Sequence, residues 1–305
     1  MKRTILKYLF TFWFSHFTFH ISVLTVFSAP IDLQLGSRPQ GLGGAFTAIS
    51  DDANAVAWNP AGLSQLNNRA FTFMHGMFSE FPFINMDYLG YVQPIGEGGM
   101  GLGWQNVGSE LKEGISQSSS WMSENSFMLA YGTNIYKKIS FGLNLKLLTI
   151  DSNAGGGAGF GFDFGGLWVL AKGKLSLGAV VKNIVAGFKN ESFSMIYRFG
   201  IAGRLCSDLL RLALDIEIKK GIQDQEGLST KIHSGIEWVI KHKYKYTYIL
   251  RAGYDAGNAT CGFGGKFKNV GLDYTFISNR TFGAIHRIST TVMWGSKRTK
   301  SSTGH

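Results

Sequence analysis

No proline occurs between Ile95 and His305, although five (Pro30, Pro39, Pro60, Pro82 and Pro94) fall in the first 94 residues. Proline has no backbone N–H and is tolerated in a sheet only at edges and bulges. Its exclusion from two thirds of a chain points to a sheet in which every N–H must find a partner. A bilayer makes that demand strictest, because no water is there to replace a missing partner.

The hydropathy pattern in the same stretch has a period of two. Leu210, Leu212, Leu214, Ile216 and Ile218 alternate with Arg211, Ala213, Asp215, Glu217 and Lys219. Tyr246, Tyr248, Leu250, Ala252 and Tyr254 alternate with Thr247, Ile249, Arg251 and Gly253. A strand keeps such faces apart, whereas a helix would mix them. Fourteen strands are predicted, at about 69–78, 84–94, 97–108, 124–134, 139–151, 157–169, 173–184, 193–204, 208–220, 230–241, 244–254, 258–267, 268–277 and 286–295. Most run about 10–12 residues, long enough to cross a bilayer at a steep tilt. The connections sort by parity. Ser109–Ser123, Val185–Ser192, Gly221–Ser229 and Ser278–Ile285 are longer; Ile135–Lys138, Leu170–Lys172 and Leu205–Ser207 are short. Short turns at one end and longer loops at the other are a mark of membrane barrels. On this parse Arg198, Arg211, Asp215, Glu217, Glu237, Arg251, Asp273 and Arg287 face the lumen. They form either a network of paired charges or a polar path.

Composition agrees. Charged residues are 16% and mean hydropathy is +0.04, below the roughly 25% charge of soluble domains and too polar for a bundle of apolar helices. Forty glycines in 305 residues suit a curved, closely packed sheet.

Two segments stand apart. Residues 1–28 carry Lys2, Arg3 and Lys7, then an apolar run, then Val26-Phe27-Ser28-Ala29. This is the plan of a secretory signal peptide, with cleavage expected after Ser28. An N-terminal anchor helix is the competing reading. Residues 29–68 hold small residues and turn formers without sustained alternation. They form a separate N-terminal segment ahead of a barrel at 69–295, and 296–305 form a polar tail.

Net charge is +10. Much of the excess falls at short turns (Lys137, Lys138, Lys172, Lys174, Lys241, Lys243, Lys245), which reads as a solvated rim and argues against a nucleic-acid partner. Cys206 and Cys261 have no metal spacing. One disulfide would fit an oxidising compartment, but two free buried thiols is the favoured reading. Gly96-Glu97-Gly98-Gly99-Met100-Gly101 fits a dinucleotide fingerprint literally. Strand-like Leu102-Gly103-Trp104 follows it where a helix is required, so it reads as a hairpin turn. No catalytic, metal or cofactor motif appears. Asp51-Asp52 reads as a turn.

The run Gly41-Leu42-Gly43-Gly44-Ala45-Phe46, then Asp51-Asp52-Ala53-Asn54-Ala55, then Trp58-Asn59-Pro60-Ala61-Gly62-Leu63 resembles the N-terminal signature of the PorV/PorQ family. That family is related to FadL-type outer-membrane transporters of hydrophobic compounds. Leu250-Arg251-Ala252-Gly253-Tyr254, Gly271-Leu272-Asp273-Tyr274 and His286-Arg287-Ile288-Ser289 are similar to its C-terminal region. The resemblance implies an all-β, transmembrane antiparallel barrel of fourteen strands. It also implies a plug or hatch over roughly 31–66, with Asp51, Asp52, Trp58, Asn59, Pro60, Ala61 and Gly62 as its motif. The expected protein is a monomeric outer-membrane barrel, among outer-membrane lipids, that takes up a hydrophobic small molecule passively through a hatch-gated lumen. The alternative is an accessory component of a type IX-like secretion system that binds an exported protein. N-terminal sequencing of the exported protein is expected to begin at Ala29.

Overall fold

The computed structural model describes residues 34–112, 119–136, 138–153, 155–188, 191–192, 194–220, 227–241 and 246–295. The expected leader and polar tail lie outside them. The strands are β1 (Arg69–Phe78), β2 (Ile84–Ile95), β3 (Gly98–Lys112), β4 (Ser119–Tyr136), β5 (Ile139–Ser152), β6 (Gly157–Leu170), β7 (Leu175–Phe188), β8 (Glu191–Ser192), β9 (Ile196–Leu205), β10 (Leu210–Lys219), β11 (Ser229–Lys241), β12 (Tyr246–Asp255), β13 (Asn258–Phe267), β14 (Val270–Asn279) and β15 (Gly283–Trp294). Each long strand pairs antiparallel with its two neighbours, and β1 pairs with β15 from Arg69↔Trp294 to Phe78↔Ile285, closing the ring. The two-residue β8 only extends the far end of β7. The barrel therefore has fourteen long strands, the number expected.

Two of the expected long loops are shorter than the sequence suggests. Within 109–123, β3 and β4 stay paired from Ser109↔Met122 to Lys112↔Ser119. Within 185–192, β7 runs to Phe188 and pairs with β8. Polar residues hid the first extension, because strands that reach beyond the bilayer lose the apolar face that marks them. The second, Val185 to Phe188, follows bulges that break the alternation of β7 against β6. The pseudo-fingerprint is a hairpin turn, with Gly96 at φ 51 between β2 and β3. Cys206 and Cys261 are free thiols, and both are exposed rather than buried. Cys206 sits in the β9–β10 turn and Cys261 on the outward face of β13, where alternation alone does not distinguish lipid contact from core.

One face of nearly every strand is apolar and exposed. On β4 and β5 it presents Phe127, Leu129, Tyr131, Phe141, Leu143 and Leu145; on β10 and β11, Leu212, Leu214, Ile216, Ile232, Ile236 and Trp238. So continuous an apolar exterior is far larger than the few hundred Å² that soluble monomers expose. It is the lipid-facing band of a transmembrane barrel. The alternate residues point inward and are buried.

Buried they must be against something, and residues 34–66 supply it. Ser37–Gly41 and Ala55–Trp58 form short helices and Pro60–Gln65 a 3-10 helix, all nearly fully buried. The first packs on β12 to β15, and the 3-10 helix on β2 to β6. Glycines in the wall make the fit. A Cβ at Gly142 would overlap Pro60 and Ala61, and one at Gly165 would overlap the Asn59 side chain. Gly142→Val is accordingly expected to cost about 1–3 kcal/mol by overpacking. Labelling of an Ala61→Cys reporter should then rise while the barrel keeps its heat-modifiable gel mobility.

Candidate functional site

The lumen is two-sided. Strands β1 to β4 line it with apolar groups: Met74, Phe78, Ile84, Met86, Tyr88, Val92, Val107 and Met128 are all buried. Strands β9 to β15 line it with charge. Here Arg198, Asp215, Glu217, Glu237, Arg251 and Arg287 are buried, and Arg211 and Asp273 are partly so. The inner segment matches both halves. Val56 and Leu63 meet Gly101 on the apolar side. Residues 34–52, polar and rich in backbone turns, meet the charged side.

Arg38 is the centre of the polar side. Its guanidinium reaches Asp51 at 2.7 Å, Asp52 at 2.6 Å and Glu237 of β11 at 2.9 Å. Glu237 also takes Arg251 at 2.8 Å, and Arg251 reaches Asp273 at 2.6 Å. Arg211 of β10 binds Asp51 at 3.0 Å. Burial would raise the Asp51 carboxyl, but Arg211 and Arg38 beside it hold it well below the usual carboxylate range. Its contribution to stability is thus complete above the ordinary carboxylate range near pH ~4 and is lost only as pH falls well below it.

Three further anchors use wall side chains on the segment's backbone. The Asp215 carboxylate accepts from the N–H groups of Phe46 (3.1 Å) and Thr47 (2.9 Å). Arg198 binds Glu217 and donates to the Gly44 carbonyl at 3.2 Å. Arg287 donates to the Gln34 carbonyl. The Trp58 ring lies 4.9 Å from the Arg198 guanidinium and donates its indole N–H to the Leu35 carbonyl at 2.8 Å. Asn59 gives one amide to the Thr47 carbonyl (2.9 Å) and to Gly166 of the wall (3.1 Å), while its oxygen takes the Ala61 N–H. Pro60 begins the 3-10 turn, and Gly62 is required because a Cβ there would strike the Ser50 carbonyl.

The structure thus gathers the eight inward charges and the Asp51–Gly62 motif around one buried segment. Asp52 does make a turn, accepting the Asn54 N–H at 2.8 Å, but both acids are also ion-pair anchors. Sequence reasoning passed over Arg38, although it is the lone cation of residues 34–66. It also passed over a second cluster. Lys146 binds Asp163 at 2.7 Å, Asn144 binds Asp163 at 3.0 Å, and Asp163 accepts the N–H of Asn183 at 2.9 Å. Asn183 (φ 60) sits in a bulge where β7 carries extra residues against β6, and the carboxylate replaces the ladder partner that the bulge removes. In each strand these charges stand at inward parity, the signal that could have found them.

A third feature lies at the long-loop end. Phe81 packs on Phe83 and Phe282, with ring centroids 5.8 and 5.7 Å apart, and Phe78 lies 5.7 Å from Phe282. The register continues this cluster inward: Phe78 faces Ile285, and Ile285 faces Ile277. Further in, Met74 faces Tyr88, and Met86 faces Val107. Among the described residues, no group of His, Cys, Asp and Glu could hold a metal ion.

The barrel is similar in fold to solved transport channels. The toluene transporter TodX of Pseudomonas putida aligns with a TM-score of 0.62 at 13% identity, covering 85% of this chain and 97% of that one. The toluene transporter TbuX of Ralstonia pickettii gives 0.61 at 12%, covering 86% and 98%. A FadL homologue of Pseudomonas aeruginosa gives 0.58 at 9%, covering 84% and 98%. The fold is therefore that of the FadL-like barrels, as the sequence resemblance implied. Residues 24–163 match the model of a family described as uncharacterised protein family UPF0164, a match that takes in the inner segment and β1 to β5 whole. No curated protein matches the sequence.

Removing one partner of a buried ion pair costs about 3–5 kcal/mol. Arg38→Ala is expected to lower thermal stability by that order, and a double-mutant cycle with Asp51→Asn should show coupling of about 0.5–3 kcal/mol. Thermal unfolding of the purified barrel measures both.

Proposed function

We propose that this protein is an outer-membrane channel for passive uptake of a hydrophobic small molecule, exported by its N-terminal leader, with residues 34–66 acting as the hatch. The observation that carries the reading is the apolar strip on β1 to β4. It starts at the Phe81, Phe83 and Phe282 cluster and descends past Met86 and Val107 to Val56 and Leu63. A site that captures an apolar solute needs such a surface, with water excluded. The ion pairs around Arg38 and Arg198 reach the wall at β9 to β14, so they hold the hatch without interrupting the strip.

The hatch leaves by shifting its apolar half, Ala55–Gln65, while the Arg38 and Asp215 anchors keep residues 34–52 seated. Similarity to the toluene transporters supports an apolar solute as cargo, a monoaromatic hydrocarbon being the natural first probe.

Uptake of radiolabelled toluene by cells lacking their own hydrocarbon channels tests this. The wild-type protein should speed uptake severalfold. Phe81→Asp with Phe282→Asp should abolish most of the gain at unchanged barrel abundance. No acceleration, together with co-purification of an exported protein, would favour the secretion role instead.

A further inference from the structure

Five carboxylates among the described residues are buried: Glu124, Asp163, Asp215, Glu217 and Glu237. Four are held by cations or backbone N–H groups. Glu124 is 6% exposed. Its backbone carbonyl accepts from the Asn106 amide at 3.4 Å, but its carboxylate has no hydrogen bond or ion pair among the described residues. An ionised carboxylate buried without a partner is costly, and native structures keep such groups where something else compensates them.

Its place in the barrel says what that could be. Cross-strand register sets Gly76, Met86, Val107, Glu124 and Ile150 in one row across β1 to β5. The row belongs to the apolar strip, and Glu124 is the charged group in it. Glu124 lies four residues along β4 from Met128, which stands beside Val56 at Gly103, about 13 Å along the strand. It therefore stands beyond the hatch on the side of the aromatic mouth. Lys146, two strand positions beyond Leu148 on β5, is already committed to Asp163 and Asn183.

We propose that Glu124 is the polar end of a lumenal binding site for a cationic amphiphile, an amine on an apolar body. The ammonium would meet the carboxylate and the apolar body would lie along Val107, Met86 and Gly76. The missing Cβ at Gly76 is useful there, since one would come within 3.2 Å of the Met86 methyl. This deepens the uptake reading and rests on it. A neutral hydrocarbon would use the strip alone, and a fatty acid would be repelled by the buried negative charge.

The test uses the mature protein in phosphatidylcholine nanodiscs at neutral pH. Binding of labelled dodecylamine, dodecanol and dodecanoate is measured against empty discs. Dodecylamine should bind about tenfold tighter than dodecanol, the order expected of a hydrogen bond to a charged group, and dodecanoate weakest. Glu124→Gln should bring the amine down to the alcohol's affinity and leave the alcohol unchanged, which also reports that the variant is folded. Glu124→Asp, which keeps the charge, should retain the preference. Equal affinity for amine and alcohol in the wild-type protein, or an amine preference that survives Glu124→Gln, overturns the inference but leaves uptake standing. Failure of all three amphiphiles to bind overturns both.

Discussion

Everything in this molecule follows from the need to pair backbone N–H and C=O groups where water cannot reach them. A sheet with an edge leaves a row of such groups unpaired. In lipid each would cost several kcal/mol. Pairing of β15 with β1 removes the edge. Closure sets the rest: strands must alternate, proline is confined in the described strands to Pro94 at the end of β2, and the inner face becomes a chamber that has to be filled or solvated. At the bulge in β7, where the ladder is broken, the Asp163 carboxylate takes the freed N–H of Asn183. The rule holds even at the exception.

The filling is divided by chemistry. On the charged wall, directional contacts fix position: Asp215 on two backbone N–H groups, Arg38 on three carboxylates. On the apolar wall, Val56 and Leu63 rest on glycine and methyl groups. Contacts of the second kind are non-directional and cost less to slide than to break. One segment therefore carries a half held by charge and a half held by close packing and neutral hydrogen bonds, such as Asn59 on Gly166 and Ser64 on Ser140.

Much of the barrel was legible because its signals are additive and local. Proline exclusion, period-two alternation in runs such as Leu210–Lys219, and a Gly-marked turn at Gly96 each speak without knowledge of the rest. Inward parity likewise pointed to Arg198, Glu237 and Arg251. The pairings were not legible. Arg38 and Glu237 lie 199 residues apart, and nothing in alternation says which inward charge meets which. The aromatic mouth was missed for a related reason. Phe81 and Phe282 belong to turns at opposite ends of the sequence and become neighbours only through barrel closure. The outer ends of β3 and β4 were read as loop because polarity there reflects water, not a change of backbone.

The position of the inner segment also orders assembly in time. Its seat is made of residues far downstream: Thr275 holds the Ser37 carbonyl at 2.7 Å, and Arg287 holds that of Gln34. Those side chains are not arranged until the last strands join the first. The start of the segment, Gln34 to Gly41, therefore completes its seat only once the ring is closed, through long-range contacts that form slowly. What comes first in the chain takes its final seat from what comes last.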